Sequence, residues 1–306
     1  MSYSILRLIE LLENEFPLLL NSIMKRIPIL VTGIDIELVD DLVDSVASLC
    51  PHRHQLVFWR DFTSEDEILS VWEEEKHNYE VNRTVVCSFA SNLKLGLERI
   101  KQFSGWIIGV PIGTSSVGIY ISQSQLDEVI THISQSSKAC GVLSLLTPST
   151  MRFELVNASE GDLEVEKRIV NKILTRKTQS LERIRRLLSK SLRGAKVSDG
   201  IINAVLKLDD ESEKITDDMF VEEISNFVHA ARRAVTLLSR IRLARELGTS
   251  TVLTERNLYE AIGWDGGDLA DLIQFIRAEW HEDFSDCVKI GALSGLGAFV
   301  DSMWGT

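Results

Sequence analysis

Between Pro28 and Val110 short apolar runs alternate with amphipathic stretches, and no other feature of the chain narrows its fold as much. Ile29–Thr32, Gln55–Trp59, Arg83–Phe89 and Trp106–Val110 carry branched and aromatic residues in runs short enough to be buried strands. Ile36, Leu38, Val39, Leu42, Val43 and Val46 recur at the three- and four-residue spacing of one helix face. Thr63-Ser64-Glu65-Asp66-Glu67 offers a capping hydroxyl and an acidic first turn, opening a second helix to about Lys76. Leu93–Phe103 supplies a third. The order β-α-β-α-β-α-β predicts an α/β fold with a mostly parallel, three-layer sheet, because parallel neighbours need crossover helices that then cover the sheet. An amphipathic helix over residues 4–25 precedes it and is cut off by Pro28.

The pattern changes after Val110. Val117–Ile121 alternates like an exposed strand and Gln125–Ser136 is helical. Gly141–Leu146 and Arg152–Val156 read as a hairpin around Thr147-Pro148-Ser149, placed as extra strands on the sheet edge. From Leu163 onward strand signals vanish, and helices are expected at 163–192, 198–208, 217–247, 254–262, 266–280 and 284–301. Gly194, Gly248 and Gly263 stand at C-cap positions, and Ser198 and Thr254 at N-caps. The chain is long enough for two domains, expected as an α/β domain at 1–160 and an all-helical C-terminal domain at 161–306.

The first strand–turn–helix, PILVTGIDIELVDDLVDSV from Pro28 to Val46, is where many α/β folds hold a phosphate. A phosphate cradle uses glycines for close backbone approach and a lysine for the charge. Here Gly33 stands alone, no lysine follows, and Asp35, Glu37, Asp40, Asp41 and Asp44 add negative charge. Ile34 and Ile36 are expected to occupy the cradle, so the chain is expected to bind no nucleotide cofactor. Asp35, Asp40 and Asp41 form a candidate Mg²⁺ set, since magnesium takes one or two carboxylates with waters. Acids in a first helical turn are also favourable with no ligand at all. The third strand, TVVCSF, ends in Ser88-Phe89, and the fourth, WIIGVP, in Gly109-Val110-Pro111, so neither supplies the paired acids of an ATPase strand. No GxSxG or HExxH occurs, and Cys50 with His52 and His54 reads as a loop. The histidines are scattered, and the chain leans toward a non-enzymatic role. Gly109–Gly118, GVPIGTSSVG, is expected to be a hairpin turn rich in small residues.

Charge is unevenly spread. Lys167 to Lys196 holds eleven basic residues against the single acid Glu182, in a chain whose net charge is −12. Ile169, Ile173, Leu181, Ile184, Leu187, Leu188 and Leu192 give that segment a buried stripe and leave a cationic outer face. Lys172, Arg176, Lys177, Arg183, Arg185, Arg186, Lys190 and Arg193 are therefore candidates for contact with nucleic-acid phosphates, with the acidic remainder of this chain or with an acidic partner. No aromatic residue is interleaved for base stacking. Thr254–Trp280 has a helix–turn–helix cadence, but Asp265, Asp268 and Asp271 at its second helix would meet phosphates of the same sign. No apolar run reaches a membrane span, and the four cysteines lie far apart, which places the expected compartment in the cytoplasm. The tail Ile290–Trp304 reads as a last helix or an interaction surface.

Arg232 to Ile262, RRAVTLLSRIRLARELGTSTVLTERNLYEAI, resembles the lid of AAA+ proteins: a long helix ends in Ala-x-x-x-Gly, and Val-x-Thr-x-x-x-Leu starts the next. Arg232 or Arg233 lies near where that family often places its sensor arginine. The start, ILVTGIDIELVDDLVDSV, is similar to the P-loop-less delta-type subunits of clamp loaders. The resemblance implies a degenerate nucleotide-binding domain and a helical collar that oligomerises. With the degraded cradle and the charge split, the expected role is an adaptor or scaffold acting through protein partners, on nucleic acid through the Lys167–Lys196 face.

Overall fold

The computed structural model describes residues 3–58, 84–90, 93, 96–97, 105–113, 120–137, 139–158, 163–191, 199–264 and 268–289, with the backbone alone at 56–58, 84, 134–137, 176–177, 180–191 and 199–213. The expected helix from Thr63 to Lys76, Ser198, Gly194, most of Val117–Ile121 and the tail Ile290–Trp304 lie outside them. By contact the chain parts into two compact units, Met1–Ile224 and Ser225–Thr306.

The first unit opens with α1 (Ile5–Leu12), capped by the Ser4 hydroxyl, which accepts the Arg7 N–H at 3.2 Å. The single helix expected over 4–25 is in fact two. Glu13 takes a positive φ of 44°, a 3-10 turn spans Glu13–Glu15, and α2 (Phe16–Met24) restarts with Pro17 in its first turn, where a missing N–H does no harm. The chain then enters β1 (Ile29–Gly33), whose five residues are all buried. After α3 (Ile36–Ala47) come β2 (His54–Phe58), β3 (Thr84–Ser88), β4 (Trp106–Pro111), α4 (Gln123–Ser137), β5 (Cys140–Thr147) and β6 (Thr150–Val156).

The six strands form one sheet in the order β2-β3-β4-β1-β5-β6, parallel except for β6, which returns antiparallel beside β5. The mostly parallel α/β fold and the β5–β6 hairpin on the sheet edge are those the sequence predicts. Central strands read as unbroken apolar runs, and every residue of β1 and β4 is buried. Leu30, Trp106, Ile108 and Val110 cluster with Leu126 and Ile133 of α4, while α3 packs against β1, β3 and β4. The turn expected over Gly109–Gly118 lies partly outside the described residues; Ile112 bridges Ile121 in parallel, and α4 follows from Gln123. On β6 burial alternates: Phe153 points inward, and exposed Arg152 and Glu154 pair at 2.8 Å. The Phe153 N–H donates to Glu15 Oε2 at 2.6 Å.

Two long helices follow, α5 (Glu164–Ser191) and α6 (Asp199–Glu246). The sequence between the expected helices 198–208 and 217–247 is polar but holds neither Gly nor Pro, so nothing interrupts the backbone ladder and one helix results. In the first unit Val165, Ile169, Val170 and Ile173 bury the inner stripe of α5. Asn21 Nδ2 donates to Glu166 Oε1 at 2.8 Å, the Ile5 N–H to Asp217 Oδ1 at 3.2 Å, and Phe16 meets Phe220 edge-on.

The second unit holds the rest of α6, then α7 (Glu255–Ile262) and α8 (Leu269–Trp280). Gly248, with φ 93°, ends α6: its N–H reaches the Arg245 carbonyl and the Thr249 N–H that of Ala244, a Schellman pair. Thr254 caps α7 through the Asn257 N–H, and Gly263, with φ 64°, closes it. Phe227 stands at the centre of an aromatic core with Trp264 and Phe275, and Phe275 with Trp280. The expected helix from 284 begins instead as a 3-10 turn, Ser285–Cys287, and β8 (Val288–Lys289), which pairs in parallel with β7 (Leu253–Thr254). Strand structure therefore persists beyond Leu163, in two-residue pieces.

Candidate functional site

The turn from β1 into α3 shows why the sequence there is so short of phosphate-binding chemistry. A Cβ on Gly33 would stand 2.8 Å from Val39 Cγ2 and 3.3 Å from Leu145 Cβ. The glycine is required for α3 to lie close to the sheet. Asp35 caps α3, its Oδ1 accepting the Glu37 N–H at 3.0 Å and the Leu38 N–H at 3.4 Å. Those first-turn amides are the donors that a helix N-terminus offers to a bound anion. Ile34 does not fill the cradle as expected: it is 72% exposed, and the Asp35 carboxylate takes the amides instead.

The three acids of the candidate Mg²⁺ set have separate surroundings. Asp35 is engaged in the cap. Asp40 Oδ1 accepts the Ala90 N–H at 2.6 Å, and burial pushes its carboxyl up to about 6, the Ala90 bond opposing and the Asp44 and Asp41 charges assisting. Asp41 lies on another side of α3, where, after burial, its charge is the largest influence raising the Tyr3 hydroxyl. Asp44 accepts from Gln55 Nε2 at 2.6 Å. Among the described residues no group of three or more His, Cys, Asp or Glu side chains is placed to hold a metal ion. Cys50, Cys87, Cys140 and Cys287 are buried and form no disulfide, and burial pushes the Cys140 thiol up to about 12 and Cys87 higher, far from the thiolate that nucleophilic chemistry needs.

Of the basic candidates, Lys172 is committed to an internal ion pair: its Nζ lies 2.6 Å from Glu223 Oε2, which is buried on α6. The backbone of α5 carries Arg176, Lys177, Arg183, Arg185, Arg186 and Lys190, whose side chains lie outside the described residues, as does Arg193 altogether. In the helix–turn–helix segment Asp268 caps α8 through the Ala270 N–H and Asp271 is buried, so neither forms an outer acidic face. Asp265 lies outside the described residues.

Sequence reasoning missed a cationic groove in the second unit. His229, Arg232, Arg233 and Arg240 of α6, with Leu237 and with Ala261 and Ile262 of α7, line a space of about 460 Å³. The signal was present in the spacing, since positions 229, 232, 233, 236 and 240 fall on one helix face. Only Arg232 and Arg233 had been singled out, through the AAA+ resemblance. Compared with known proteins, the chain matches no family model, no curated protein and no solved structure.

Proposed function

We propose that this chain is a non-catalytic, AAA+-like subunit that holds protein partners. Its α/β part is read as a three-layer domain, with α3 and α4 on opposite faces of the sheet, whose ancestral nucleotide pocket has been given over to internal contacts. The observation that carries this reading is the Asp35 carboxylate on the Glu37 and Leu38 amides. A phosphate approaching α3 would have to displace a covalently tethered anion and then sit beside Asp40 and Asp41, with no lysine to offset their charge. The same end of the sheet offers contact area of a different kind. Ile34 and Leu146, each two residues beyond the paired Thr32 and Ser144, are 72% and 59% exposed. Exposed branched side chains at strand ends suit a protein surface better than a polar ligand.

Calorimetric titration of the full chain with ATP or ADP, each with Mg²⁺, tests this reading. No saturable heat is expected. Micromolar binding of either nucleotide by the wild-type chain overturns it.

A further inference from the structure

The second unit separates its arginines into two groups. Arg242, Arg245, Arg256 and Arg277 each meet a carboxylate, those of Glu282, Asp286, Glu260 and Asp283. Arg232, Arg233 and Arg240 are exposed and meet none among the described residues. All three lie on one face of α6, around Thr236, and that face continues at Leu243 and Leu247, which are 56% and 78% exposed. The stripe from His229 to Leu247 follows three- and four-residue steps for about 27 Å of helix. Beside its cationic half, Leu237, Ala261 and Ile262 form an apolar floor to the groove. A cationic half, from His229 to Arg240, is thus followed along one line by an exposed apolar half at Leu243 and Leu247.

We propose that this face of α6 docks an acidic, amphipathic helix of a partner protein. The inference rests on the scaffold reading above and gives that scaffold a partner chemistry. Charge complementarity selects the occupant. A wholly apolar segment would strip water from three guanidinium groups and leave them unpaired. A nucleic-acid strand would satisfy the arginines but leave Leu243 and Leu247 against its phosphates, and the stripe holds no Phe, Tyr or Trp for its bases. A helix with carboxylates facing Arg232, Arg233 and Arg240, and apolar residues at the next positions, satisfies both halves.

Fluorescence anisotropy on the full chain tests the proposal. The probe is a labelled synthetic helix of about 20 residues with glutamates and leucines at three- and four-residue spacing. Saturable binding is expected, weakening as salt is added. The charge reversal Arg232→Glu/Arg233→Glu/Arg240→Glu is expected to lower affinity by about tenfold or more. Leu243→Ser/Leu247→Ser is expected to lower it by about threefold or more. If the reversed variant melts early by circular dichroism, Arg232→Gln/Arg240→Gln replaces it, with the same direction of effect required. The proposal is overturned if the probe fails to bind, if the arginine variants bind it unchanged, or if a labelled single-stranded oligonucleotide binds this face more tightly than the peptide. Such failure leaves the nucleotide titration untouched, so the partner chemistry and the scaffold reading fall separately.

Discussion

Asp40 brings a carboxylate from the surface of α3 to the Ala90 N–H, and its carboxyl is raised from 3.8 to about 6, with burial as the leading cause. Taken whole, that shift penalises the charged form by roughly 3 kcal/mol. Solvent screening of a half-buried group reduces this to about 1 kcal/mol. Because the folded-state value lies above the unfolded one, the protonated acid supports folding fully below pH of about 4, and the support fades as pH rises through about 6. Asp40→Asn keeps an acceptor for Ala90 and removes the charge. Urea unfolding should show the variant more stable than wild type by about 1 kcal/mol at neutral pH, with the gain vanishing near pH 4. A gain that does not change with pH would contradict the burial argument. Asp35 has a local signal for its cap, an acid directly before an apolar helical run, though by sequence it stands only as a helix-start acid and a metal candidate. Asp40 has no such signal, since the Ala90 amide comes from a distant strand end.

At the scale of elements, the sheet rests on how closely α3 approaches it, and Gly33 sets that distance. Gly33→Ala would place a methyl 2.8 Å from Val39 Cγ2, and overpacking of this sort costs about 1–3 kcal/mol. Val39→Ala removes the obstructing group. In a double-mutant cycle followed by denaturant unfolding, Gly33→Ala/Val39→Ala should be less destabilised than the two single changes added together. Additive losses would mean that the strain lies elsewhere, against Leu145 for example. The strands of this sheet were readable because each is a local apolar run in a local α/β alternation. Two things escaped. The merging of α6 into one helix turned on the absence of Gly or Pro, which a reading based on apolar spacing overlooks. The β7–β8 pair is only two residues long and joins Leu253 to Val288, so no local pattern announces it.

At the scale of the molecule, the two units are held by different chemistry. The first is built on a sheet of buried strands. The second ties its C-terminal segment to α6 through arginines. Arg242 lies 4.2 Å over the Phe284 ring, pairs with Glu282 at 2.6 Å and donates to the Asp283 carbonyl. Arg245 holds Asp286 at 2.7 Å. Local openings follow such ties. Arg242→Ala should speed amide hydrogen exchange across 282–289 by about tenfold while leaving 29–33 and 106–111 at their wild-type rates. Equal acceleration in both places would show that the whole chain opens as one. Clustering of α6 charges into satisfied and unsatisfied arginines was likewise invisible in composition, because the difference lies in which carboxylates the fold brings near.

The Glu15 contact to β6 has a consequence for the company this protein can keep. Sheets with an open last strand recruit like strands from other chains, the first step toward fibres. Here the outward amide of Phe153 already has a carboxylate on it, and charged Arg152 and Glu154 flank that amide. Growth by ribbon-to-ribbon stacking is stoppered on that side, leaving the chain one fewer place from which to seed it.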